Sequence, residues 1–152
     1  MKAVIQRARD ASCTVEGRIT GAIDKGLVVF FCVEKGDKEE WLEPFLSKIA
    51  KLRIFPDDNG KMNLSLLDVK QAILLISQFT LAADIYKGNR PSFDGSEEFG
   101  RANGMYLKAA DMLRSMGIRT ETGEFGAHMD IAYINDGPLN FVLDSRNLKS
   151  CR

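Results

Sequence analysis

The sequence predicts an α+β domain, a strand-rich mixed or antiparallel sheet or barrel-like core carrying two main helices. Apolar, β-branched runs at 4–8, 27–33, 72–76 and 139–143 have the length and composition of strands. Only two segments, opening near Asp37 and Ser96, carry apolar residues at helical spacing. Those helices do not alternate regularly with strands, which argues against a doubly wound α/β sheet.

Val4-Ile5-Gln6-Arg7-Ala8 is the first expected strand. Cys13-Thr14-Val15 and Arg18-Ile19-Thr20 flank Glu16-Gly17 and predict a hairpin. Leu27 to Val33 is continuously apolar, as a buried strand is. Asp37 is placed to open a helix, with Glu40 as its capping-box partner. Trp41, Phe45, Ile49 and Leu52 then recur on one face, and Pro44 is expected to kink that helix or shorten its first turn. Asp57-Asp58-Asn59-Gly60 is a turn signal. Ala72 to Ile76 follows as a buried strand, and Tyr86 to Gly95 as a loop bearing glycine and charge. Ser96 is placed to cap the second helix, with Glu97 and Glu98 near its positive end. Phe99, Ala102, Tyr106, Ala109, Leu113 and Met116 form its apolar stripe, and Gly117 stops it. Late strands are expected at 118–122, 130–134 and 139–143. The domain spans 1–145 with a polar tail at 146–152, and the stretch from Ser145 to Arg152 is expected to fray.

Composition narrows the function. The 152 residues suffice for one domain with a real core, and 45% hydrophobic with 28% charged residues suits a soluble globular protein. Lys+Arg and Asp+Glu both total 21, so bulk charge does not favour coating nucleic acid, although a local basic patch is compatible. Cys13, Cys32 and Cys151 are scattered, and His128 is the one histidine. That set predicts neither a zinc site nor a disulfide framework and fits a reducing cytosol. The polar N-terminus does not read as a signal peptide, and the run from Gly26 to Val33 is far below the roughly 20 residues a membrane helix needs. No metal and no cofactor are expected.

Two polar segments carry the chemistry. Ser77-Gln78-Phe79-Thr80 ends one apolar strand, and Asn135-Asp136-Gly137-Pro138 separates two others. Polar groups at the end of a core strand are costly unless they have partners or a task. Proline cannot donate to a ladder, so Gly137-Pro138 marks a special backbone geometry.

Together these segments resemble the D-aminoacyl-tRNA deacylase family. The similarity extends through Ala3-Val4-Ile5-Gln6-Arg7, Leu52-Arg53-Ile54-Phe55, 60–65, Arg90-Pro91-Ser92-Phe93 and 121–127, so it covers nearly the whole domain. It implies a cytoplasmic homodimer that hydrolyses the ester between a D-amino acid and the 3′ end of tRNA, with glycyl-tRNA as a second substrate. It also implies a cis Gly137-Pro138 bond, and an active site in which Ser77 to Thr80 of one subunit face Gly137 and Pro138 of the other. Phe125 and Met129 match positions lining the pocket for the terminal adenosine. Asn140 and Ala82 depart from the pattern, standing where threonine and an aromatic are usual.

Ser77, Gln78, Phe79 and Thr80 are therefore the candidate catalytic residues, and Gly137, Pro138, Phe125, Met129 and Arg90 the candidate substrate contacts. Main-chain atoms around the α-carbon are the right tool for rejecting one hand while accepting many side chains. Thr80 as a nucleophile would need a base, and none is near it in sequence. The alternative is assistance by the ribose 2′-hydroxyl, with N–H groups around Phe79 and Thr80 stabilising the oxyanion. Arg7, Arg53, Lys87, Arg90 and Arg101 are candidates for phosphate contacts, the Lys87 to Phe93 loop first among them. A non-catalytic module that binds the tRNA 3′ end is the rival reading. A hydrolase of free nucleotides is a second, unsupported by any GxxxxGK[ST] loop.

Overall fold

The structure, a computed structural model, describes residues 1–151. Strands β1 (Lys2–Val15) and β2 (Arg18–Cys32) form one long antiparallel hairpin. The separate strands expected between 4 and 33 merge into these two, because Asp10, Asp24 and Lys25 are exposed positions of continuous strands. The hairpin turn falls at Glu16-Gly17 as expected, with both residues at positive φ, which matches the twist of the strands they join.

Helix α1 (Leu42–Ala50) begins later than the sequence suggested. Asp37 is not its cap. Its buried carboxylate instead accepts from the Glu34 N–H (2.7 Å), the Ser145 hydroxyl (3.3 Å) and the Met1 amine. Pro44 consequently sits in the first turn, where an N–H has no acceptor within the helix. Phe45 and Ile49 are buried, as the stripe required. Strands β3 (Phe55–Pro56) and β4 (Met62–Leu64) pair around the 57–60 turn. The one-turn helix α2 (Leu66–Val69) was not anticipated, although Ser65 and Asp68 form the capping box that announces it.

Strand β5 (Ala72–Ser77) lies parallel to β2. Helix α3 (Phe99–Ser115) is capped by Glu98, whose carboxylate accepts from the N–H groups of Gly100 (2.8 Å) and Arg101 (3.0 Å). The expected cap, Ser96, is held earlier in the chain by an isolated bridge to Glu34. Phe99, the first residue of the expected stripe, is largely exposed, while Ala102, Tyr106, Ala109 and Leu113 are buried. Strand β6 (Thr120–Thr122) is parallel to β5, and β7 (Asp130–Asp144) is antiparallel to β1. The sheet order is β6-β5-β2-β1-β7, a mixed sheet, one of the alternatives the sequence left open.

Strand β7 replaces the two late strands expected at 130–134 and 139–143. Gln6 pairs with Asn140 and Ala8 with Asn135, so residues 136–139 bulge opposite Arg7 alone. Two steps along β1 thus oppose five along β7, an odd excess, and alternate side chains exchange faces across the bulge. Ile131 and Tyr133 accordingly pack on the smaller cluster of Ala8, Cys13, Val28 and Leu74. Leu139 and Leu143 pack on the main core, where α1 and α3 bury Ile5, Leu27 and Phe31.

The tail does not fray as expected within the described residues. Ser145–Asn147 form a 3-10 turn, Ser145 is fully buried and Cys151 nearly so. Arg152, the end of that tail, lies outside the described residues. Among the described residues, no helix is long and apolar enough to cross a membrane.

Candidate active site

Where β5 leaves the sheet, Ser77 still pairs with Phe31 of β2, and the Gln78 N–H donates to the Phe31 carbonyl (2.8 Å). A 3-10 turn, Phe79–Ala82, follows at once. Its leading N–H groups, those of Phe79 and Thr80, find no acceptor inside so short a turn. The Gln78 side-chain amide donates to Thr80 Oγ1 (2.5 Å). An amide nitrogen cannot accept a proton, so Gln78 orients the Thr80 hydroxyl without activating it. Phe79 is 56% exposed rather than core, and its ring meets Phe93 edge-on at 5.0 Å, tying the turn to the following loop.

Beside this turn lies a cavity of about 530 Å³, in the size range of a small-ligand site. Ser77, Gln78, Phe79, Phe125 and Met129 line it, so the structure brings five of the nine candidates together. Phe125 is fixed by Phe99 (5.0 Å) and Tyr106 (5.6 Å). Tyr106, Cys32, Glu97 and His128 also line the cavity, and none was singled out as a site residue. A tyrosine inside an apolar helical stripe was the available signal, since a buried phenol needs a partner. The Tyr106 hydroxyl donates to the Leu75 carbonyl (2.8 Å), and burial pushes its pKa up. Burial, reinforced by Glu34, likewise pushes the Cys32 thiol up to about 11, so it is no thiolate nucleophile at neutral pH. His128 is 95% exposed at the cavity wall, with Nε2 3.9 Å from Asp130.

Thr80, Arg90, Gly137 and Pro138 do not line the cavity. Arg90 is exposed on a loop pinched by the paired backbone bonds of Asp84 and Ser92. Of the five basic candidates, Arg7, Arg53 and Arg101 are engaged internally. Arg7 reaches the Ile54 carbonyl (2.9 Å) and Asp136, Arg53 reaches Asn63, and Arg101 reaches the Asp37 carbonyl (2.5 Å) and Glu97. Lys87 and Arg90 have no such partner among the described residues.

The Gly137-Pro138 bond is cis, as expected. The bulge that holds it is tied by side chains. Arg7 Nε donates to the Asp136 carbonyl (3.1 Å), and Asn135 Oδ1 accepts from the Leu139 N–H (2.8 Å). Asn140 Oδ1 accepts from Asn135 Nδ2 (2.8 Å) and from Gln6 Nε2, while Gln6 Oε1 accepts from the Tyr133 hydroxyl (2.5 Å). Within one chain the two motifs do not meet. Ser77 pairs with Phe31, Phe31 with Ala3 and Ala3 with Leu143, three strand spacings or about 14 Å along the sheet, and Gly137 lies further on.

The described residues contain no cluster of three or more His, Cys, Asp or Glu able to hold a metal. A sequence profile of the family described as D-Tyr-tRNA(Tyr) deacylase matches residues 4–144. The chain is 47% identical over 148 residues to a D-aminoacyl-tRNA deacylase of Aquifex aeolicus, covering 97% of this chain and 100% of that protein. It is 49% identical over 145 residues to one of Magnetococcus marinus, covering 95% and 96%. Among solved structures, one described as c-Myc DNA Unwinding Element Binding Protein superposes with a TM-score of 0.89 at 38% identity, covering 95% of this chain and 98% of that one. A probable eukaryotic D-amino acid tRNA deacylase shares the fold, with a TM-score of 0.80 at 15% identity over 93% of this chain and 97% of that one.

Proposed function

The chain belongs to the D-aminoacyl-tRNA deacylase family, and we propose that it cleaves the aminoacyl ester in a site completed by a second copy of itself. One observation carries this reading: the Ser77–Thr80 turn and the Gly137-Pro138 bulge stand three strands apart in a single chain. The strand bearing the bulge is also an open sheet edge, with Ile134, Phe141 and Val142 exposed along it. Such an edge pairs readily with another chain.

In this reading the terminal adenosine enters the cavity against Phe125 and Met129, and Lys87 and Arg90 meet the phosphates behind it. Main-chain carbonyls of Gly137 and Pro138 of the partner subunit accept from the substrate ammonium and occupy the space an L side chain would take. A loss of about 3–4 kcal/mol for the L ester gives a few hundredfold discrimination. Glycine has no side chain to exclude, so glycyl-tRNA is a second substrate. Water adds to the ester carbonyl while N–H groups of Phe79 and Thr80 hold the oxyanion. The carbonyl carbon to ribose oxygen bond then breaks, and the proton given up by the water reaches that oxygen by way of the neighbouring 2′-hydroxyl. The products are the free amino acid and tRNA, in the cytoplasm.

Release of the amino acid from D-tyrosyl-, L-tyrosyl- and glycyl-tRNA tests the scheme. Fast release from the D and glycyl esters and slow release from the L ester is expected. Tight binding of charged tRNA without hydrolysis would leave only the binding-module reading.

A further inference from the structure

The bulge poses a physical problem that its side chains answer. Four residues opposite one cannot keep the regular ladder, so the chain from Asp136 to Leu139 must be held by other bonds. Arg7 holds its first residue. Across its mouth, Asn135 and Asn140 are joined directly, and Asn140 Oδ1 takes a second N–H from Gln6, itself bonded to Tyr133. Asparagine is disfavoured in a strand, and Asn140 is exposed on one, so neither burial nor propensity accounts for it. Its carbonyl oxygen stands one bond further from the backbone than a threonine hydroxyl would, which suits the gathering of two amides.

We propose that Asn140 is a positioning residue for stereochemical selection. With Asn135 and Gln6 it fixes where the carbonyls of Gly137 and Pro138 stand. This rests on the reading that those carbonyls face the substrate α-carbon in a partner subunit. Hydrogen bonds weaken steeply with misalignment, so a loosened bulge blurs the difference between the two hands before it abolishes turnover.

Both bonds to the Asn140 side chain land on its oxygen, which separates two variants of similar size. Asn140→Asp keeps the acceptor, and Asn140→Leu removes it. The measured quantity is the ratio of kcat/KM for D-tyrosyl-tRNA to that for L-tyrosyl-tRNA, with Gly137→Ala as a reference. Asn140→Asp is expected to hold the parent ratio within about threefold, and Asn140→Leu to lower it at least about tenfold, a loss near 1.4 kcal/mol. A purely structural role would lower the melting temperature or the active fraction and leave the ratio alone. An unchanged ratio in Asn140→Leu beside a collapsed one in Gly137→Ala overturns the role of Asn140. A collapse in both Asn140 variants overturns it as well, since the oxygen would then not matter. An unchanged ratio in Gly137→Ala defeats the underlying reading of the bulge instead.

Discussion

At Thr80 the decisive feature is a single hydrogen bond whose donor is an amide. The Gln78 Nε2 amide donates a hydrogen bond to Thr80 Oγ1, and an amide is too weak a base to take the hydroxyl proton. Thr80→Ala should therefore lower kcat by less than about tenfold, whereas charged tRNA lacking the terminal 2′-hydroxyl should lose at least about a hundredfold, both measured by single-turnover deacylation. Cys32 yields a second prediction. Its thiol is raised to about 11, above the ordinary value of 9.0, chiefly by burial. The folded state thus keeps a proton that the unfolded chain gives up. The stabilisation is complete below pH 9 and is lost as pH rises toward 11, at up to about 1.4 kcal/mol per unit. Urea denaturation at pH 8, 9 and 10 should show this slope, and Cys32→Ala should flatten it. The sequence revealed Ser77 to Thr80 because polar groups crowd the end of an apolar run. It could not reveal Cys32, Glu97 or Tyr106 as neighbours, since three separate segments meet at the cavity only after the sheet forms.

Elements were legible where periodicity was strong and illegible where one residue had two possible uses. Phe45 and Ile49 fixed the buried face of α1, yet Asp37 looked like a cap and became a buried anchor for Glu34 and Ser145 instead. Exposed Asp10 and Asp24-Lys25 lie in the gaps between the strands expected there, and a strand with one wet stretch resembles two strands. The β2–β5 pairing depends on Gly26, at φ +149°, where an added Cβ would fall inside the Ala72 carbonyl. Gly26→Ala should cost about 3 kcal/mol or more by urea denaturation, since neither backbone can yield alone. Ser65→Ala removes one half of the capping box of α2 and should cost about 1 kcal/mol in the same assay.

For the molecule as a whole, the open edge at β7 is the unsettled surface. Val142 is 77% exposed there, so Val142→Lys should change the stability of the single chain by about 1 kcal/mol or less. Light scattering should nevertheless show the mass halved, with deacylation falling in step. If Val142→Lys remains a fully active dimer, β7 is not the shared face. The bulge in that strand has a further bearing on how such chains diverge. Because its excess is odd, Leu139 and Leu143 reach the main core only by virtue of the change of face between Asn135 and Asn140. Inserting or deleting one residue there would turn both leucines toward water, while a change of two would leave them inside. Relatives can thus vary the length of this segment in pairs, and a single-residue indel should be among the least tolerated lesions in the gene.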